Sequence, residues 1–379
     1  MTRVIILTQM WSSWPDFAGS TWVPMQYLLG LLKLGVDAYW IDYLDRPDPQ
    51  KQVHSLEYLV KRFVGTARDF EFSERACVVF EGGRRYYGMS ENTLQELAAR
   101  TDLLIGISGK GIPNGSPLKQ IERRAYIDVD PGFTQIWAEQ LDMGLDQFNI
   151  FFTVGQTIGR PESAMPALGF EWHPILPPVF LDQWPACIDE QNERFSTVGD
   201  WWGDQRASYE GEYYGGKRDE FLRFVQLPLR ANQRLEPALT IYQIDHEEIG
   251  LLHRNDWRIL DPFLHAGDPH SYREFIQSSR AEFSVAKGGY VRANAGWISD
   301  RTACYLASGK PALVQSTGIE PYVPTGEGLL TFATLEEAVA GIVAINGDYL
   351  VHCQAARKLA EERFNSDVVL AYLLQRAGL

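Results

Sequence analysis

The stretch of this 379-residue chain with the most chemistry in it is Lys287-Gly288-Gly289-Tyr290-Val291-Arg292-Ala293-Asn294-Ala295-Gly296-Trp297-Ile298-Ser299-Asp300-Arg301-Thr302. Its residue types suit an anion. Residues 282–286 before it read as a strand, and residues 299–308 at its end read as a helix with Ser299 or Asp300 as a good N-cap. Gly296 lets a ligand approach the main chain. A helix N-terminus fed by a glycine-bearing loop gathers anions, because unpaired N–H groups and the helix dipole both face the ligand. Lys287, Arg292 and Arg301 are available to add full charges. The C-terminal end of a parallel strand is also where open α/β sheets bind ligands. The competing reading is an ordinary capped helix with a solvated arginine.

Two other stretches carry carboxylates where a base is useful. The loop 11–20 holds Trp11, Trp14, Asp16, Gly19 and Ser20 after the first strand. Its aromatic and small residues could line an acceptor pocket, with Asp16 as general base. Gly19 and Ser20 precede a helix whose N-terminus would face the same cleft. Asp128-Val129-Asp130-Pro131 closes another strand, and a carboxylate there, Asp130, could take the proton instead. Both aspartates also read as loop or cap residues. Other signals fail on spacing. Gly106-Ile107-Ser108-Gly109-Lys110-Gly111 lacks the Ser/Thr of a P-loop, and His246-Glu247-Glu248 lacks the second histidine of a zinc helix. No metal site and no Ser-His-Asp or Cys-His set follows from the sequence.

The elements that must position these residues alternate. Runs 4–7 and 36–41 flank a helical stretch with Met25, Leu28, Leu29 and Leu32 that stops at Gly35, a β-loop-α-β opening. Further strands are expected at 103–107, 125–129 and 149–154, with helices between 43 and 100. Residues 161–188 hold six prolines without periodicity, as an interdomain connector does. The rhythm restarts with strands expected at 195–198, 257–260, 282–286, 312–315 and 329–332. A capping box at Thr334-Leu335-Glu336-Glu337 opens a helix, and a last one starts near Ser366. The expectation is two doubly wound α/β domains around a cleft: 1–188, 189–365, and a terminal segment 366–379.

Composition agrees. Hydrophobic residues are 45% and charged residues 22%, enough for sizeable cores and outside the range of disordered or fibrous chains. With 35 Lys+Arg against 49 Asp+Glu the net charge is −14, which argues against nucleic acid as a partner. Eleven tryptophans suit surfaces that stack flat ligands or sugars. Four scattered cysteines without CxxC spacing, no signal-like segment and no run of roughly 20 apolar residues lead to the expectation of a cytoplasmic protein.

The run Ser299-Asp300-Arg301-Thr302-Ala303-Cys304-Tyr305-Leu306-Ala307-Ser308-Gly309-Lys310-Pro311-Ala312-Leu313-Val314-Gln315 resembles the donor-binding domain of GT-B glycosyltransferases, which have a helix, a small-Gly-x-Pro turn and an apolar strand in this order. Gly326-Glu327-Gly328-Leu329-Leu330 and the helices after it are similar to that family's closing segments. The resemblance implies a fold of two Rossmann-like, parallel-sheet domains facing a central cleft, with the last helix packed back on the first domain. It implies a nucleotide-diphosphate sugar as donor, a small molecule or glycan as acceptor, and no cofactor. Gly296 and Ser299 would then meet the diphosphate, within a donor site including Asn294 and Asp300. Arg301 or Lys287 would neutralise it, Lys217 in Tyr214-Gly215-Gly216-Lys217 would be a second cation, and Thr317-Gly318 would face the sugar. Two departures stand out. Many retaining members carry two glutamates eight positions apart, where this chain has Gly296 and Cys304. Plant-type members carry His-x-Gly-x-x-Ser-x-x-Glu, of which Asn294-Ala295-Gly296-Trp297-Ile298-Ser299-Asp300-Arg301-Thr302 keeps only the Gly and the Ser. Other readings are a nucleotide-sugar epimerase or hydrolase on the same fold and a catalytically silent sugar-nucleotide binder.

Overall fold

The computed structural model describes residues 1–9, 17–44, 55–80, 83–203 and 206–379. The first sheet has eight strands: β1 (Arg3–Thr8), β2 (Asp37–Tyr43), β3 (Ala76–Phe80), β4 (Arg85–Tyr87), β5 (Leu103–Ile107), β6 (Arg124–Asp128), β7 (Ile150–Thr153) and β8 (Trp172–Pro174). Their order is β4-β3-β2-β1-β5-β6-β7-β8, parallel throughout except for the β3–β4 hairpin. The central strands are buried on both faces, so they read as unbroken apolar runs, and Val4 to Leu7 is the plainest case. The order reverses between β1 and β5, which opens the cleft above their C-terminal ends.

The second sheet is built from β9 (Phe195–Ser196), β14 (Ala281–Ser284), β15 (Ala312–Gln315) and β16 (Leu329–Phe332), all parallel in the order β16-β15-β14-β9. One residue beyond β9 the chain continues as β10 (Val198–Asp200). After the hairpin β11 (Ala207–Tyr209) and β12 (Glu212–Tyr214), β13 (Ala238–Thr240) pairs parallel with β10. The chain is therefore α/β, with two larger sheets that are parallel apart from β4 and a separate parallel pair β10–β13.

Three expectations about elements are corrected. Residues 257–260 form no strand: only Leu260 makes a bridge, to Ala238, while Trp257 is spent as a core plug against Phe221 with its indole N–H donating to the Val225 carbonyl at 2.7 Å. Residues 43–100 hold two strands besides the helices Leu56–Asp69 and Glu91–Ala98. The proline-rich stretch 161–188 contributes the edge strand β8, whose partner β7 hides the absence of any period over three residues.

The final helix, Ser366–Arg376, lies on the helix Ala18–Lys33 of the first domain. Main-chain bonds from Val179 N–H to the Phe364 carbonyl (2.7 Å) and from Ser366 N–H to the Val179 carbonyl (2.9 Å) fix the crossing. Lys33 adds an ion pair to Asp182 at 2.8 Å. The helices approach closely because Gly30 has no side chain: a Cβ there would stand 2.6 Å from both Leu370 Cδ1 and Ser366 Cβ. Among the described residues no helix is long and apolar enough to cross a membrane. Gly30→Val is therefore expected to cost about 1–3 kcal/mol through overpacking, read as a lower urea midpoint; an unchanged midpoint would mean that the helices part freely.

Candidate active site in the interdomain cleft

A cavity of about 470 Å³ lies between the sheets, bordered by Gln9, Tyr27, Ser108 and Asp130 from the first domain and by Lys217, Lys287, Tyr290, Ser299, Asp300 and Arg301 from the second. The loops after β1, β5 and β6 meet the loops after β12 and β14 there, so each wall is formed at strand C-termini. Six of the expected site residues are thus together: Asp130, Lys217, Lys287, Ser299, Asp300 and Arg301.

Their states differ. Arg301 is 7% exposed and fully engaged. Its Nε donates to Glu282 Oε1 (2.8 Å), one terminal nitrogen to the Val198 carbonyl (2.8 Å), and the other to Ser284 Oγ (2.6 Å). The guanidinium turns back under the sheet to neutralise a carboxylate with no exposed surface. Its hydrogen bonds are thus spent within the protein, although the residue still borders the cavity. Arg292 is paired with Glu212 on the β11–β12 hairpin and does not border the cavity.

Lys217 is the opposite case. It is 7% exposed, lines the cavity, and its ammonium has no hydrogen-bond or carboxylate partner among the described residues. Gly199 makes room for it, since a Cβ there would lie 3.0 Å from Nζ. Burial, followed by the nearby charges of Arg301 and Lys287, lowers its pKa to about 7. Lys287 sits at the N-cap of the short helix Gly288–Arg292 and points its Nζ to Asp130 Oδ1 at 3.5 Å. The same Oδ1 accepts the Tyr290 hydroxyl at 2.5 Å. Ser299 caps the helix Asp300–Ala307 by accepting the Arg301 N–H at 3.2 Å.

Four expected donor residues do not border the cavity. The Gly296 N–H, expected to face phosphate, donates to the Thr317 carbonyl at 2.7 Å, and Thr317 Oγ1 donates to the Trp297 carbonyl at 2.5 Å. Asn294 Oδ1 fills the space where Gly318 lacks a Cβ. These residues brace the segment behind the site: Gly296 has φ +62° and its carbonyl accepts the Gln156 N–H of the first domain at 3.2 Å. On the acceptor side, Gly19 faces Tyr272 and Ser20 Oγ donates to the Phe17 carbonyl at 2.6 Å, so neither reaches the cavity. Trp11, Trp14 and Asp16 lie outside the described residues.

The loop carrying Asp130 is itself held by a residue that the sequence reading left in the background. Asp128, fully buried, accepts the Asp130 N–H (2.9 Å) and Thr134 Oγ1 (2.7 Å) on one oxygen, and Gln135 Nε2 (3.0 Å) and Thr153 Oγ1 (2.9 Å) on the other. The polar end of an otherwise apolar strand was its only sequence signal. Burial outweighs these bonds and pushes the carboxyl up to about 6. Tyr290 and Tyr27 were likewise missed as site residues, and Glu282 showed itself only as a charge inside a buried strand.

No protein-family model and no curated protein matches the chain. Solved structures do. An alpha-glucosyltransferase in complex with UDP and a 13-mer DNA superposes with a TM-score of 0.64 at 12% identity, covering 100% of both chains. AviGT4, a glycosyltransferase involved in avilamycin A biosynthesis, gives 0.56 at 13% identity over 100% of this chain and 97% of the other. Anabaena Alr3699/HepE, in complex with UDP and glucose, gives 0.57 at 11% identity over 100% of both. The chain has the GT-B glycosyltransferase fold.

Arg301→Ala should behave as a folding mutation: it strands the buried Glu282 carboxylate and is expected to cost about 3–5 kcal/mol, measured by urea unfolding. Asp128 predicts a pH signature. Its carboxyl binds a proton more tightly in the fold than in the unfolded chain, so its contribution favours folding increasingly as pH falls from about 6 to about 4. Asp128→Asn lacks that contribution, and the stabilities of the two proteins should diverge across this window by up to ~3 kcal/mol. Parallel pH profiles would refute it.

Proposed function

We propose that the protein transfers a sugar from a uridine diphosphate sugar to a hydroxyl group of a small-molecule or glycan acceptor, with protein cations in place of a metal. The observation that carries this reading is the unpaired Lys217 ammonium, buried in the cleft beside Lys287. Burying a cation without a partner is costly, so a cleft that keeps one is built to receive an anion. Support for the nucleotide comes from the alpha-glucosyltransferase and HepE, both of which were solved with UDP and share this fold.

In this reading Lys217 and Lys287 lie against the diphosphate, with the helix Asp300–Ala307 directing its N-terminus towards it. As the bond from the anomeric carbon to the phosphate oxygen breaks, negative charge grows on the leaving diphosphate, and cations already in position stabilise it without rearrangement. The acceptor oxygen bonds the anomeric carbon and gives up its proton. In this reading Asp130 takes it, which is supported by Oδ1 being held by Tyr290 and Lys287 while Oδ2 has no hydrogen bond among the described residues. The net charge of −14 and the absence of described Lys or Arg on the acceptor wall of the cavity favour an uncharged acceptor over nucleic acid.

Calorimetric titration with UDP tests the donor site. Bound diphosphate favours the protonated amine of Lys217, so binding should take up a proton above pH 7, and affinity should fall between pH 7 and pH 8.5. Lys217→Met should lose about tenfold or more in affinity and flatten that pH dependence. A folded protein with no affinity for UDP would sink the donor reading, and binding without proton uptake would remove Lys217 from it.

A further inference from the structure

The helix Ala18–Lys33 turns Val23, Gln26 and Tyr27 towards the cavity, at i, i+3 and i+4. Gln26 is committed: its Oε1 accepts the Phe180 N–H at 2.6 Å, and its Nε2 donates to Cys304 Sγ at 3.5 Å. Tyr27 is not. It is 2% exposed, yet its hydroxyl makes no hydrogen bond to any described residue. The residue lines the cavity, so its free hydroxyl is available to a ligand there.

The opposite wall offers Asp300. Its neighbour Arg301 also borders the cavity but spends its hydrogen bonds on Glu282, Val198 and Ser284, whereas Asp300 has its carboxylate on the cavity wall beside the Ser299 hydroxyl at 3.4 Å. Burial raises the pKa of both Tyr27 and Asp300, and in Tyr27 the Asp300 charge adds to the effect, so the two groups sense each other. A neutral phenol that donates and a carboxylate that accepts are the complement of two hydroxyls on one carbohydrate ring. Trp297, stacked on Tyr290 with ring centroids 4.2 Å apart, adds an apolar surface to the same cavity.

We propose that Tyr27 and Asp300 form the subsite that holds the donor's sugar ring by its hydroxyls and selects an uncharged hexose over a uronic acid. The proposal rests on the donor reading above, because Lys217 and Lys287 place the diphosphate in the same cavity. A uronic acid would bring a second carboxylate towards Asp300, where like charges in a poorly solvated cleft repel.

The test is titration of the wild-type protein, Tyr27→Phe and Asp300→Asn with UDP, UDP-glucose and UDP-glucuronic acid, after circular dichroism and thermal melts show each variant folded. The wild type should prefer UDP-glucose to UDP-glucuronic acid by about tenfold or more. Both variants should keep UDP affinity within about twofold while losing roughly five- to tenfold in UDP-glucose affinity. Asp300→Asn should also erase most of the discrimination against the uronic acid. Normal UDP binding with both sugar preferences unchanged in the variants would overturn the subsite. So would variants that keep UDP-glucose affinity and raise only the acceptor KM, which would move Tyr27 and Asp300 to the acceptor. Failure of the wild type to bind UDP would instead bring down the donor reading itself. Should Asp300→Asn not fold, Tyr27→Phe decides alone.

Discussion

Three cations of one domain crowd into one end of the cleft, and the way each is compensated organises the structure. Arg301 is answered in full by Glu282, the Val198 carbonyl and Ser284, which ties the helix Asp300–Ala307 to β10 and β14. Lys287 is answered from the other domain by Asp130. Lys217 is answered by nothing in the described chain, although it is as buried as Arg301. Like charges held this near each other raise the energy of the empty cleft, so the first role stiffens the second domain, the second joins it to the first, and the third leaves an electrostatic demand that a diphosphate can meet.

The junction between the domains follows from the same arrangement. Asp128 collects donors from Asp130, from the first turn of the helix Phe133–Gln140 and from β7, and the residues beside these stretches, 132–133 and 156–157, grip the segment 289–296. Phe133 fills the space beside Gly289, where a Cβ would strike its ring, and Gly132 lies against Ala293 with a would-be Cβ 3.2 Å away. Thr157 Oγ1 donates to the Asn294 carbonyl at 2.9 Å. The glycines of the segment thus serve domain apposition as much as ligand approach. One carboxylate buried in the first domain sets the position of Asp130 and, through it, of Lys287.

Much of the frame was legible because its signals are local. Strands at 103–107, 312–315 and 329–332 are apolar runs with turn residues at both ends, and the Thr334 capping box is read directly from residue types. The Lys287–Arg301 stretch was legible as a place, since a strand, a loop and a capped helix in that order define a ligand-binding strand end. The individual roles were not. Whether Arg301 faces a ligand or Glu282 depends on a partner nineteen residues away in a neighbouring strand. Whether the Gly296 N–H is open depends on a carbonyl from the loop after β15. Tyr27 carries no signal in the sequence beyond its place in the helical stretch, and only the second domain makes it part of a cavity. The segment 43–100 was obscure because its short strands β3 and β4 take their identity from the partner strand and carry little period of their own.

The missing glutamate pair has a physical reading in this frame. Where many retaining GT-B enzymes carry the second of two glutamates, Cys304 is 2% exposed and meets Gln26 of the first domain. A glutamate there would put a charge into the packed contact between the helices Asp300–Ala307 and Ala18–Lys33, with Glu282 already occupying the nearby arginine. The other position, Gly296, has positive φ, and a side chain would press on Gln156, with its Cβ 2.9 Å from Gln156 Cβ. Both positions are therefore used to bring the domains together. The two carboxylates that border the cavity among the described residues are instead Asp300, four residues beyond Gly296, and Asp130 across the cleft. The acidic groups of the cavity thus come from both domains instead of from one helix.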